Sequence, residues 1–103
     1  MNENKITICI PKISVQIQKK YVLNTFVKLG IGIIEKIQEM PIKSDQNHKR
    51  IVIYVHLNMN NELAKYIYDF LSNNKTIKIV HDMPWYWICT KYSNNYDSKI
   101  NCK

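Results

Sequence analysis

Both tryptophans of the chain lie in one short stretch, Pro84-Trp-Tyr-Trp87, which follows the last apolar pattern of the sequence. An indole ring can stack on a nucleobase, pack into a hydrophobic core or anchor a partner protein. In an extended conformation Trp85 and Trp87 face the same side, because side chains alternate along a strand. Three interpretations follow: the stretch closes and extends the core, which we place first, or it stacks bases, or it binds a partner.

A second set of chemically useful side chains lies in the stretch Arg50-Ile-Val-Ile-Tyr-Val-His-Leu57. Arg50 is the only arginine of the chain. Its planar fork of donors suits a phosphate, and an ion pair with Asp45 is the alternative. Tyr54 can stack a base if its side of the strand is open, or it can be covered by the C-terminal segment. His56 can stack or donate to a phosphate, or lie at the surface with no such role.

Metal binding and catalysis find little support in the sequence. The three cysteines and three histidines are scattered, which fits neither a disulfide framework nor a zinc site. There is no glycine-rich phosphate loop, and no paired-carboxylate or cysteine-histidine motif. We therefore expect free thiols in a reducing compartment, no metal, no other cofactor and no enzymatic activity. The residues concerned are Cys9, Cys89, Cys102, His48, His56 and His81.

The elements that position these side chains belong to one small domain. The chain has 103 residues, enough for one hydrophobic core, which we place in residues 1–92. Residues 93–103 are polar and are expected to form a flexible tail. No apolar run is long enough to span a membrane, and residues 1–5 lack the start of a secretory signal. We expect a soluble intracellular protein without a membrane partner.

Local periodicity predicts four strands and two helices. The predicted order is a strand over 5–10 ended by Pro11, a helix over 18–29, a strand over 32–40, a loop over 41–49, a strand over 50–57, a helix from asparagine caps at 58–61 to residue 72, and a strand over 76–80. With right-handed crossovers, this β-α-β-β-α-β order gives a four-stranded antiparallel sheet with both helices on one face, the ferredoxin-like arrangement.

The face of this sheet opposite to the helices is expected to be open. Strands one and three lie at its centre, so five side chains should meet there: Thr7, Cys9, Val52, Tyr54 and His56. The net charge of +7 favours a polyanionic partner for such a face. Part of the lysine excess is discounted, because the abundance of Ile, Lys and Asn is typical of an A/T-rich coding sequence. Lys49 lies beside Arg50 at the edge of the open face.

The chain resembles the RNA-recognition-motif (RRM) fold, and within it the small RRM-like proteins of large nucleocytoplasmic DNA viruses. The second resemblance covers about Ile6 to Ile88. The stretches that carry it are Cys9-Ile-Pro11, Leu29-Gly-Ile-Gly32 with Ile34-Glu-Lys-Ile37, and Ile77-Lys-Ile-Val80 leading into Pro84-Trp-Tyr-Trp87.

The RRM motif of strand three can be laid on this sequence residue by residue. Arg50 matches its leading basic position, Tyr54 its second aromatic position and Val55 the aliphatic residue that follows. Val52 stands where the motif has its first aromatic residue, Ile51 replaces the glycine, and Thr7 stands where strand one would offer an aromatic side chain. One stacking aromatic residue out of three is present.

The resemblance and the open face together imply a module that binds single-stranded RNA, or single-stranded DNA, with low sequence specificity. The residues expected to carry binding are Tyr54, Arg50, Lys49, Val52, Thr7, His56 and Lys78, with Trp85 and Trp87 as auxiliary platforms. The alternative is a protein-interaction module that docks on a viral protein or on itself. In either case the resemblance implies a viral protein of the host cytoplasm, in the viral factory, or of the virion.

Overall fold

The computed structural model describes residues 4–92, so the predicted tail over 93–103 lies outside the described residues. The elements are β1 (Lys5–Ser14), α1 (Lys19–Lys28), β2 (Gly32–Ile42), β3 (Asp45–Leu57), α2 (Glu62–Ser72), β4 (Ile77–Asp82) and β5 (Trp85–Lys91). The strands form one sheet in the order β2-β3-β1-β5-β4. Every neighbouring pair of strands is antiparallel.

The predicted α+β class, with an antiparallel sheet and two helices, is confirmed, but the predicted count of four strands is wrong. The sheet has five strands, because the aromatic stretch begins a strand of its own, β5. Its residues Trp-Tyr-Trp-Ile-Cys-Thr are aromatic or β-branched with one exception, and such side chains pack well on a pleated surface. β5 occupies the place beside β1 that the prediction gave to β4, and β4 lies at the edge of the sheet.

β1 continues past Pro11, so the predicted end of the strand at that residue is wrong. The register between β1 and β3 shifts between Ile10 and Ile13, which marks an irregularity of the bulge type around the proline. A bulge allows a strand to continue through a residue that cannot donate a main-chain hydrogen bond. The proline therefore bends β1 and does not end it.

The polar stretch over 41–49, predicted as a loop, is the end of a long hairpin. β2 reaches Ile42 and β3 begins at Asp45, which leaves a turn of two residues. The Asn47 N–H donates to the Asp45 carboxylate over 3.0 Å and supports the first residues of β3. Polar side chains are compatible with these strands because most of them are partly or fully exposed.

The core lies between the helices and one face of the sheet. α1 contributes Val22 and Phe26, and α2 contributes Ala64, Ile67 and Leu71. These helix residues form one buried cluster with residues from the strands, which places both helices on one face of the sheet: Ile6, Ile8, Ile10, Ile13, Ile51, Ile53, Val55, Leu57, Ile77, Ile79, Trp87 and Cys89. Among residues 4–92, neither helix has the length and apolar character that crossing a membrane requires.

Two close contacts hold the connection between α1 and β2 in place. Asn61 caps α2, because its Oδ1 accepts from the Ala64 N–H at 2.9 Å while its Nδ2 donates to the Gly30 carbonyl at 3.0 Å. Gly32 opens β2 with φ at +153°, and a Cβ on this residue would overlap the carbonyl oxygen of His56. The α1–β2 connection is therefore held closely against β3 and the start of α2.

Candidate functional site

The strand register brings the residues predicted for the open face together. Thr7 pairs with Tyr54, Cys9 with Val52 and Lys5 with His56. Neither Cys9 nor Val52 belongs to the core cluster under the helices, although both are buried. They therefore lie on the other side of the sheet, which we call the open face.

Tyr54 is half-buried on the open face and is held by two side chains of β2. Its hydroxyl donates to Gln38 Oε1 at 3.1 Å. The Lys36 ammonium lies 5.3 Å from the centre of the Tyr54 ring, within the range of a cation–π contact. Lys36 is directly opposite Tyr54 in the register, so the contact follows from the pairing of β2 with β3.

A second tyrosine with a lysine lies at the other end of the open face. Trp87 and Cys89 of β5 belong to the core cluster, so Tyr86 and Ile88, which alternate with them, are on the open face. The Lys78 ammonium lies 4.9 Å from the centre of the Tyr86 ring. Tyr86 was not among the site residues predicted from the sequence. Treating the aromatic stretch as a strand would have found it, because alternation puts Tyr86 and Trp87 on opposite faces.

The other predicted basic residues differ in how far they are neutralised. Lys49 forms a 2.7 Å ion pair with Glu39, and the His56 Nε2 lies 3.0 Å from Glu35 Oε1. Arg50 is half-buried opposite Met40 in the register of β2 and β3. No ion pair joins Arg50 to another of residues 4–92, and the predicted alternative, a pair with Asp45, is absent there. Arg50 is thus a cation of this hairpin that no carboxylate among residues 4–92 neutralises.

Asp45 is engaged by other groups. His48 Nδ1 lies 2.9 Å from its carboxylate and the Lys12 ammonium lies 3.7 Å from it. Partial desolvation acts to raise the pKa of Asp45, but the Asn47 N–H, His48 and Lys12 outweigh it and hold that pKa below its ordinary value. The carboxylate is therefore ionised at neutral pH and reduces the positive potential at this end of the sheet.

The two tryptophans have different environments. Trp87 is 7% exposed and lies on the helix side, where its ring is parallel to that of Phe26 at 6.5 Å and to that of His81 at 4.2 Å. The Tyr21 hydroxyl is 3.0 Å from His81 Nδ1 and ties α1 to this stack. Trp85 is 66% exposed at the start of β5. Trp87 thus extends the core beneath α1 and is turned away from the open face.

Cys9 and Cys89 are both buried, and Cys102 lies outside the described residues. Burial raises the pKa of the Cys89 thiol to about 12, and the neighbouring Cys9 adds to the effect. Within the described part of the chain, no three His, Cys, Asp or Glu side chains are placed to hold a metal ion.

Comparisons with protein-family models, with curated proteins and with solved structures found no match to the chain. No relative therefore supplies an activity or a ligand. The case for a function rests on the side chains of the open face and on the charge of the protein.

Proposed function

We propose that the open face binds single-stranded nucleic acid, RNA in preference to DNA, with low sequence specificity, on a ferredoxin-like and RRM-like fold extended by one strand. The observation that carries the proposal is the presence of two tyrosines on this face, Tyr54 and Tyr86, each with a lysine ammonium close to its ring. The resemblance of the sequence to small RRM-like viral proteins points in the same direction. It also favours a role in the host cytoplasm or in the virion.

Each lysine–tyrosine pair combines the two interactions that a single strand requires. A base stacked on an aromatic side chain contributes roughly 1 to 3 kcal/mol, whatever the base. A lysine next to the ring can neutralise the phosphate that follows that base and release its counterion. In the unbound protein the same lysine lies over the ring, so it has to move off the ring when a base stacks there, and it is then close to the phosphate.

The register gives the separation of the two tyrosines. Tyr54 is opposite Thr7, and the Tyr92 N–H donates to the Thr7 carbonyl, so Tyr54 is level with Tyr92 across β1. Tyr86 lies six residues from Tyr92 along β5, or roughly 20 Å at about 3.3 Å per residue, and two strand spacings of about 4.8 Å separate β3 from β5, so the two tyrosines are about 22 Å apart. A single strand at about 3.4 Å per nucleotide covers that distance with about six or seven nucleotides. An octanucleotide is thus long enough to contact both tyrosines, and a dinucleotide is not.

Fluorescence anisotropy of labelled octanucleotides tests the proposal. Single-stranded RNA, matched DNA and duplex are titrated at two salt concentrations with the wild type, Tyr54→Ala and Tyr86→Ala. Tyr66→Ala is the matched control, because Tyr66 is a half-exposed tyrosine of α2, which packs on the helix side. Circular dichroism verifies that each variant is folded.

We expect tight binding of single-stranded RNA, weakened about 5- to 150-fold by either open-face substitution and unchanged by Tyr66→Ala. The logarithm of the affinity should fall by about 0.7 per log unit of salt for each phosphate contacted. Absence of octanucleotide binding at low salt would refute the proposal, as would equal weakening by Tyr66→Ala.

A protein-interaction module is the second candidate, and the β4–β5 turn favours it. Met83 is 79% exposed and Trp85 is 66% exposed, and exposed aromatic and methionine side chains are frequent at interfaces. The partner would be a viral protein or a second copy of the chain. Binding of that kind should persist at high salt and be lost in Trp85→Ala, as measured by sedimentation and by co-purification with the expressed partner.

A further inference from the structure

A cleft opens between β1 and β5 because their pairing stops early. The register joins Ile8 to Lys91 and Cys9 to Thr90, and it includes no further pair toward Trp85 among residues 4–92. A shallow depression of about 370 Å³, open to solvent, lies at this end of the sheet, between the last residues of β1 and the β4–β5 hairpin. Roughly 300 Å³ is the lower limit of the usual size of small-ligand sites in proteins.

Pro11 explains why the strands part at this level. The Tyr92 N–H donates to the Thr7 carbonyl at 2.9 Å, so the main chain of every second residue from Thr7 is directed at β5. Thr7 and Cys9 can complete such pairs, whereas Pro11, the next residue of the series, has no N–H to donate. By the same alternation the main chain of Tyr86 is directed at the cleft, which Tyr86 also lines.

The walls of the cleft have the chemistry of a site for a flat aromatic ring. Ile13 and Ile17 contribute apolar side chains to the lining, and Trp85 and Trp87 of β5 contribute aromatic ones. Trp87 is fixed in the core, but Trp85 is 66% exposed and offers an indole ring that the fold leaves uncovered. Lys12 at the cleft carries a side chain that is 63% exposed and is only loosely paired with Asp45, at 3.7 Å.

The cleft is continuous with the open face through Tyr86, whose ring lies beside the Lys78 ammonium. A strand that passes over Tyr54 and Tyr86 therefore reaches the mouth of the cleft with its next nucleotide. That nucleotide must turn into the gap between β1 and β5 to reach Trp85, because Trp85 alternates with Tyr86 along β5. The lysines on the two sides, Lys78 and Lys12, can each neutralise a phosphate next to that nucleotide.

We propose that this cleft takes one unstacked base of the bound single strand, which stacks on Trp85 and meets the main chain of Tyr86 with its polar edge. The inference rests on the proposed function and adds a base-selective position to an otherwise non-selective surface. Main-chain donors and acceptors discriminate between bases because a mismatched edge leaves a desolvated polar group unpaired. The tyrosines of the open face only stack, so they contribute affinity without selecting a base.

The two tryptophans supply the measurement, because both line the cleft and they are the only ones in the chain. Unlabelled octaribonucleotides of A, C, G and U are titrated against the tryptophan fluorescence, and anisotropy of labelled copies of the same octamers gives their four affinities. The variants are Trp85→Ala, Trp85→Phe, which keeps a flat ring, and Tyr54→Ala.

We expect quenching of the wild-type fluorescence and a spread of about fivefold or more among the four affinities, since one correctly paired base contributes about 1 to 3 kcal/mol of discrimination. Trp85→Ala should reduce the spread to less than about twofold while binding that depends on Tyr54 remains, and Trp85→Phe should retain most of it. Tyr54→Ala should weaken all four octamers by a similar factor.

Other results would overturn the inference and identify the cause. Octamers that bind in a Tyr54-dependent manner, with affinities and fluorescence insensitive to Trp85→Ala, would refute the cleft and leave the proposed function standing. Failure of every octamer to bind would refute both. Salt-resistant self-association that Trp85→Ala abolishes, with RNA affinities unchanged, would show that the cleft and the hairpin form a protein interface.

Discussion

Replacing Trp87 by alanine removes the ring that connects α1 to the β4–β5 hairpin. That ring is 7% exposed, and it is stacked between Phe26 and His81, with Tyr21 meeting its edge. Truncation of a buried Trp or Phe to alanine costs about 3 to 5 kcal/mol. Each lost aromatic contact accounts for roughly 0.5 to 1.5 kcal/mol beyond the buried area. We therefore expect Trp87→Ala to lower the free energy of unfolding by about 4 to 5 kcal/mol.

Trp85→Ala is the matched control in the same four-residue stretch. Trp85 is 66% exposed, so its removal should change the free energy of unfolding by less than about 1 kcal/mol. Trp87→Phe keeps a flat ring against Phe26 and should cost less than Trp87→Ala. The expected order of stability is wild type and Trp85→Ala together, then Trp87→Phe, then Trp87→Ala.

Urea denaturation followed by far-ultraviolet circular dichroism measures these differences without relying on tryptophan emission. A domain of this size has a total stability of about 5 to 15 kcal/mol, so Trp87→Ala should shift the midpoint strongly or leave the chain largely unfolded. If Trp85→Ala proves as destabilising as Trp87→Ala, the assignment of one ring to the core and the other to the surface is wrong.

Three further outcomes follow from local geometry. Gly32→Ala should destabilise the protein by several kcal/mol, because its Cβ would overlap a main-chain carbonyl of β3. Gly30 has φ +65° and open space around it, so Gly30→Ala should cost about 1 to 2 kcal/mol. Thermal melts compare the two variants. Asn61→Ala should lower the free energy of unfolding by about 1 to 2 kcal/mol, because the α2 cap is lost. Asn61→Asp should recover most of that stability in urea titrations. An alanine variant as stable as the wild type would contradict the cap. Cys89 should resist alkylation by iodoacetamide in the folded protein, and rapid labelling of Cys89 found by mass mapping would refute its burial. Burial raises the pKa of its thiol in the folded protein to about 12, whereas the thiol ionises near pH 9 in the unfolded chain. The contribution of Cys89 to stability should therefore be lost as pH rises from about 9 toward 12.

Local periodicity predicted the strands and helices whose conformation is determined by their own residues. The alternation from Ile6 to Ile10 predicted the first strand, and the spacing of Val22 with Phe26 predicted the first helix and its buried side. The open-face set was also predictable, since neighbouring strands with known partners place Thr7 next to Tyr54. These features depend on short stretches and on one pairing, β1 with β3.

The features that the sequence did not disclose depend on pairings between distant residues. The aromatic stretch could be a strand, a cover or an anchor until the register joined it to β1 and β4. That same register separates Trp87, beneath α1, from Tyr86, on the open face. Pro11 was also misjudged, because a proline usually predicts the end of a strand. The main-chain hydrogen bond that it removes lies only on the side of β1 that faces β5, so the strand continues.

The position of β5 also constrains the order in which the sheet can form. Among residues 4–92, β1 is the first strand made and β5 the last, yet they are neighbours, so one edge of the central strand stays unpaired until Trp85–Lys91 has been synthesised. Closing so long a loop is entropically costly, and pairings of this kind slow folding. The residues of β2, β3 and β1, which pair with one another, are all made before β5. A nascent chain that stops before Trp85 would expose the Thr7–Cys9 edge to other chains, which makes that edge the point at which truncated products are expected to aggregate.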